Sequence, residues 1–429
     1  MAGLGGRERM LRVLGALVSL GVISSMMAVV GEKADAVQTM QPAIVSADPA
    51  TFTPHVLDGK VEAIAQFGNT VYLGGIFSQV RENNRQLVQT RTNILAFDAT
   101  TGVISSWAPA VDGEVTSIVV APDGASLYVG GFFNNIGGQS RRSVARISTT
   151  TGLNVAGFST PNLSGGRVRD MRLSAGKLWI AGQFPSVSGN AQARLATLDA
   201  TTGRYDPFMN LAVAGVHDPT TNNGGGTTDV VKIDITPDGS RLLGVGNFKT
   251  VGGQDRDQIF QLDLTGASAT LANWQTNTFK ALCVAVFNTY IRDIDYSPDG
   301  SFFVVSTTGA SRGAASPCDS ISRFETGSPG TGLLPTWLTH TGGDTTYAVA
   351  VAGDVTYAGG HMRWVNNPYN ADSAGQGSIS RQGIVALESI SGLPYSWNPT
   401  RERGVGVFDL LATSQGLWMG SDTDWTGTP

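Results

Sequence analysis

At 429 residues, with 55 glycines, 15% charged residues and a formal net charge of −5, the chain is too apolar to be disordered and too rich in glycine to be a helical bundle. The acidic balance argues against binding a nucleic-acid backbone, and two cysteines 35 residues apart with no histidine beside them are poor zinc spacing. Many short strands joined by tight turns suit this composition.

In chain order, Arg7, Arg9 and Arg12 precede an apolar run from Val13 to Val30, and Ala34-Asp35-Ala36 offers a small-x-small cleavage site. Residues 1–36 therefore read as an export signal cut after Ala36, the alternative being a retained membrane anchor. Excision removes four of 29 basic and three of 34 acidic residues and leaves a net charge of −6. No later stretch is long and apolar enough to span a membrane. Residues 37–49 read as a linker, and 50–429 as one repeat domain.

The repeat is an apolar strand running into a pair of small residues: YLGGIF (72–77), YVGGFF (128–133), WIAGQF (179–184), GVGNF (244–248), FFVVSTT (302–308), YAGGHM (357–362) and WMGSD (418–422). The second small residue recurs at Gly75, Gly131, Gly182, Gly246, Thr307, Gly360 and Ser421, giving seven copies. Each copy holds four short strands, a to d. Pro-Asp-Gly turns such as Pro122-Asp123-Gly124 separate a from b, and Asp98 to Gly102 or its equivalents separate c from d. An aromatic follows the second turn at Trp107, Phe158, Phe208, Trp274, Trp337 and Trp397.

These patterns predict an all-β, seven-bladed β-propeller of four-stranded blades. Phe52-Thr53-Pro54 matches Trp107-Ala108-Pro109, so the N-terminal strand is expected to close the last blade. That blade reads as incomplete at the C-terminus, since the chain stops just after its strand b. Residues 37–47 are the alternative filler of the gap.

The segments YLGGIFSQV, APDGASLYVGGFF, NIGGQSRRSVARI and LDATTG resemble the delta-60-type propeller repeats of secreted bacterial proteins, and similar repeats of fungal cortical polarity-marker proteins. The resemblance covers about residues 50–422 and implies an extracellular or cell-wall location. That family often carries carbohydrate-binding or immunoglobulin-like modules, none of which is present here, and has no general enzymatic activity.

The b-to-c and d-to-a connections share one face and include long segments at 78–92, 212–228, 277–289, 309–320 and 363–382. Long loops on one rigid face are where binding sites collect, although drift in solvated loops would produce them equally well. Arg91, Arg141, Arg256 and Arg381 each stand three residues before strand c on that face; a recurring guanidinium suits either bridging of carbonyls between adjacent blades or ligand binding.

Aligned on Ile64, Ile118, Met171, Ile233, Ile294, Val349 and Leu410, the innermost strands bring Asp170, Lys232, Asp234, Asp293, Asp295 and Asp409 toward a central channel, with Arg172 and Arg292 near them. These charges either pair with one another or offer carboxylates to a calcium ion at Asp293 and Asp295. No other cofactor is expected. Cys283 and Cys318 are expected to form a disulfide in an oxidising exterior.

No nucleophile elbow or phosphate loop occurs, and the four histidines lie in different repeats, with His217-Asp218 the one local His-carboxylate pair. Ala96 to Gly102 followed by Trp107 is similar to the tryptophan-docking motif of quinoprotein dehydrogenases, but their adjacent cysteine pair is missing. The reading is a secreted, monomeric, non-catalytic scaffold for a glycan or a protein. The alternative is a propeller glycoside hydrolase or lyase.

Overall fold

The computed structural model describes residues 40–427 apart from 42, 84, 86, 222–223, 284–287, 311–312, 314–315, 369–372, 403, 405 and 424. The expected export signal, residues 1–36, lies outside them. Among the described residues there is no α-helix, only a 3-10 turn at Thr278–Lys280, and no helix is long and apolar enough to cross a membrane.

Successive antiparallel sheets follow one another along the chain, arranged as in a β-propeller. Their first strands are Lys60–Phe67, Glu114–Val120, Arg167–Ser174, Asp229–Ile235, Ile291–Tyr296, Thr346–Val351 and Val407–Thr413. Each pairs with the strand after it, and in the first six sheets that second strand pairs with a third. The Pro-Asp-Gly turns work as the sequence suggests: Gly124, Gly239 and Gly300 have φ of +67°, +73° and +71°, and each aspartate accepts the amide two residues on. At the second turn, Asp98 Oδ1 accepts from the Thr100 and Thr101 amides and Asp199 Oδ1 from those of Thr201 and Thr202.

The first strands pack on one another in chain order, and Val407–Thr413 returns to lie against Lys60–Phe67. The paired glycines explain how closely the sheets approach. A Cβ on the first glycine would meet the next sheet: Gly74 would strike Val115, Gly130 would strike Met171 and Val168, and Gly359 would strike Val407. Gly420 of the last sheet faces Val61 of the first in the same way.

The fourth strand is short. It is a strand at Tyr205–Asp206, Thr270–Leu271 and Trp337–His340, but a single bridge at Phe97–Ile104, Ile147–Asn154 and Leu387–Pro394. Its aromatic is turned outward against the following sheet, as when Trp107 Nε1 donates to Ser148 O at 3.0 Å. Where the ladder is reduced to a single bridge, that docking helps to hold the segment.

The N-terminal segment docks on the first repeat as the exits of the other fourth segments dock on the repeat that follows them, and among the described residues it forms no ladder with the last sheet. Phe52 packs on Gly102 as Phe158 packs on Gly203, and His55–Val56 pairs with Gln79–Arg81 in a small sheet of its own. Among the described residues no strand pairs with the outer edge of Gly416–Ser421, so the seventh sheet has two strands. Residues 40, 41 and 43–45 run beside it without a ladder. Gln41 Nε2 donates to Thr413 O and Gly416 O, and Ile44 and Val45 pack near Leu417 and Met419.

Candidate ligand-binding site

Every first strand carries a β-bulge at one place: the register skips Glu62, Thr116, Arg169, Val231, Arg292, Tyr347 and Phe408. A bulge adds one residue to one strand and re-aims its side chain. All seven skipped residues line one cavity of about 310 Å³, together with Lys232, Asn288 and Thr289. The bulge also accounts for the second glycine of the repeat. A Cβ at Gly75, Gly131, Gly182, Gly246 or Gly360 would lie 2.1–2.3 Å from the carbonyl oxygen two residues before the skipped one. The most conspicuous motif in the sequence is thus the counterpart of the ring that builds the cavity.

The cavity wall has two kinds of surface. On one side the Tyr347 and Phe408 rings stand 5.2 Å apart, with the Arg292 guanidinium 5.3 Å from the Tyr347 centroid and Lys60 Nζ 5.2 Å from the Phe408 centroid. On the other, Glu62 contacts Lys60, which also stands 3.7 Å from Glu114. Burial and the adjacent Glu62 push the Glu114 carboxyl up to about 7, and Glu62 Oε2 is enclosed without a hydrogen-bond partner. Arg169 bonds Asp229 at 3.1 Å and lies over the Phe132 ring; burial raises the Asp229 carboxyl to about 6.

Next to the skipped residues on the first strands sit the charges singled out from sequence, and they follow one rule. An aspartate of one sheet accepts a backbone amide from the first strand of the next. Asp170 takes Ile233 N at 3.0 Å, Asp234 takes Tyr296 N at 2.8 Å, and Asp293 takes Val349 N at 2.9 Å. Asp295 takes Val351 N at 2.5 Å and Asp409 takes Ile64 N at 2.6 Å. Ser117 fills the same role toward Met171 N.

The cations complete the belt. Arg172 bridges Asp170 at 2.8 Å and Asp234 at 3.1 Å, and Lys232 stands 3.7 Å from Asp293. Burial raises the carboxyls of Asp293, Asp295 and Asp409, the last to about 7. For Asp293 and Asp295, where calcium was the alternative to charge pairing, one oxygen each is committed to an amide. Among the described residues no three His, Cys, Asp or Glu side chains gather as a metal-binding group.

The repeated arginines lie away from this cavity. Arg91 donates to Thr90 O and Ser105 O, Arg256 to Asp255 O and Ala272 O, and Arg381 to Ser380 O and Tyr395 O. Arg141 donates to Ser140 O. The carbonyls are those of the arginine's own sheet, tying its b-to-c connection to its fourth segment. They are not those of an adjacent blade, because the side chain runs along the sheet edge rather than across the gap.

Cys283 and Cys318 form a disulfide that joins two of the long connections. His217 is buried edge-on to Tyr290, and its amide and that of Asp218 both bond Asn247 Oδ1, which makes the pair part of the packing.

Sequence reasoning missed Glu62, Thr116, Arg169, Val231, Tyr347 and Phe408, because it looked at residues flanking the aligned apolar position. The signal that could have found them is the second glycine, which demands a close carbonyl opposite.

No family model matches the chain, and no curated protein matches it. Among solved structures it is similar to the WD40 β-propeller domain of Doa1 at 12% identity, over 87% of this chain and 92% of that one, with a TM-score of 0.47. It is also similar to hydrazine synthase of Kuenenia stuttgartiensis at 13% identity, over 84% and 92%, with a TM-score of 0.46. A third likeness is to the computationally designed Ika8 protein at 11% identity, over 86% and 95%, with a TM-score of 0.45.

Proposed function

We propose that the chain is a seven-bladed β-propeller exported from the cell, and that it binds a glycan in the cavity ringed by the seven bulge residues. The observation that carries this reading is the composition of that ring. Two aromatic rings, Tyr347 and Phe408, form a shelf beside Glu62, Arg169 and Arg292. Sugars present apolar C–H faces that stack on aromatics and hydroxyls that need both donors and acceptors, so a cavity offering both surfaces suits them. The disulfide fits an oxidising exterior, as does the resemblance to delta-60-type repeats.

The test is a glycan array probed with residues 37–429, with and without calcium, followed by titration of any hit against Tyr347→Ala and Phe408→Ala. The expected result is a hit weakened at least tenfold by either substitution. Absence of any glycan hit, or hits indifferent to both substitutions, overturns the reading and leaves a protein partner on the long-connection face.

A further inference from the structure

The ring of bulge residues is basic inside an acidic protein. The chain carries a formal net charge of −5, yet the cavity lining holds three cations, Arg169, Lys232 and Arg292, against one carboxylate, Glu62. Lys232 is answered within the belt, where Asp293 stands 3.7 Å away. Arg169 spends its Nε on Asp229 and, among the described residues, keeps the two amino groups of its guanidinium.

Arg169 and Arg292 are set as a pair. Each lies over an aromatic ring, Arg169 at 4.8 Å from the Phe132 centroid and Arg292 at 5.3 Å from that of Tyr347. A guanidinium held over a ring has its in-plane N–H fork fixed in direction, and such a fork grips an anion through two bonds at once. Burial lowers the Arg292 guanidinium below its usual range and the charge of Arg169 adds to the lowering, so the two groups stand close enough to repel. An anion between them turns that repulsion into attraction.

The neutral polar lining is spent within the protein. Asn288 is tied to Thr227 and Asn247, Thr289 Oγ1 donates to Gln258 Oε1 at 2.8 Å, and Thr116 Oγ1 donates to Val168 O at 3.1 Å. Polar recognition of a ligand therefore falls to the charged groups, with Glu62, flanked by Lys60 and Glu114, as the acceptor. At about 310 Å³ the cavity lies at the small end of ligand pockets, which suits a terminal sugar unit rather than a length of polysaccharide.

We infer that the ligand of this ring is an acidic sugar, its carboxylate or sulfate held between Arg169 and Arg292 while a hydroxyl donates to Glu62. The inference rests on the reading of the ring as a glycan site and names the class of glycan. Tyr347 and Phe408 supply the stacking surface common to all sugars, and the two arginines supply the choice of acidic over neutral ones. Asp229 is a positioning residue: by taking Arg169 Nε it fixes which edge of that guanidinium is left for the anion.

The test is calorimetric titration of residues 37–429 with a galacturonate dimer, a mannuronate dimer and a sulfated disaccharide, each beside its methyl ester or unsulfated counterpart. At least one acid should bind about tenfold or more tighter than its neutral counterpart, with the advantage shrinking as salt rises from about 50 to about 500 mM. Binding of a uronate or of the sulfated sugar supports the inference and tells which anion the arginines take. Arg292→Gln should erase the preference for the acid while leaving the neutral counterpart within about twofold. Each acid and its counterpart are compared on the unaltered protein, so the outcome does not depend on how the variant folds. Neutral sugars that bind as well as the acids, through Tyr347 and Phe408, overturn this inference and leave the glycan reading standing. A preference for the acid that survives Arg292→Gln in a natively folded variant also overturns it, and no binding of any sugar, acidic or neutral, overturns both.

Discussion

Asp409→Asn separates the two roles of the inner-ring carboxylates, accepting an amide and carrying a charge. Asp409 Oδ2 receives Ile64 N across the junction of the last and first sheets, and an asparagine carbonyl can do the same. Burial raises the Asp409 carboxyl to about 7, above the value near 3.9 expected when unfolded. A group whose folded pKa is raised contributes stability that is complete below about pH 4 and is lost as the pH climbs through about 7.

Between pH 5 and pH 8 such a shift is worth roughly 2–3 kcal/mol, which screening by water in the channel reduces to about 1–2 kcal/mol. Urea unfolding of the wild type should therefore show stability falling from pH 5 to pH 8, with the fall smaller by about that amount in the Asn variant. At pH 8 Asp409→Asn should be at least as stable as the wild type, whereas Asp409→Ala, which strands the Ile64 amide, should lose about 1–3 kcal/mol. The reasoning fails if Asn and Ala variants are equally destabilised, or if the wild type and Asn variant have the same pH dependence.

Replacing Arg172 with methionine removes the cation between Asp170 and Asp234 and should cost about 3–5 kcal/mol in urea unfolding, partly restored by adding Asp234→Asn. Gly131→Ala sets a Cβ 2.1 Å from Glu114 O and should destabilise by about 2 kcal/mol or more, while Gly327→Ala, with open space around it, should stay within about 0.5 kcal/mol. Cys283→Ser with Cys318→Ser opens a loop of 35 residues and should lower stability by roughly 4 kcal/mol on the chain-entropy model; unchanged melting would show the loop gains nothing from closure.

The parts of this fold that repeat were the parts legible in the sequence. Glycine pairs, Pro-Asp-Gly turns and the outward aromatics recur because each solves the same local problem in every sheet. The inner-ring aspartates were legible as charges, but their work was not: a carboxylate that accepts a neighbour's amide looks the same in sequence as one that waits for calcium. The cavity lining was hidden for a sharper reason. A bulge adds one residue to the strand, so the side chains that line the cavity stand two before the aligned apolar position rather than beside it. Phe52 docks on the second-turn glycine of the repeat that follows it, as Phe158 does, and only the ladder expected with the last sheet is not seen among the described residues.

The bulges have an implication for how such a chain diversifies. What holds each one open is a backbone carbonyl facing a small residue on the neighbouring strand, usually glycine; the identity of the skipped side chain plays no part in that geometry. Glutamate, threonine, arginine, valine, tyrosine and phenylalanine all stand there already within one molecule. Apart from Arg169, which pairs with the buried Asp229, these positions can therefore be rewritten with little demand on the scaffold, much as hypervariable loops are rewritten on an immunoglobulin frame. A combinatorial library restricted to those codons is the natural way to retarget this ring.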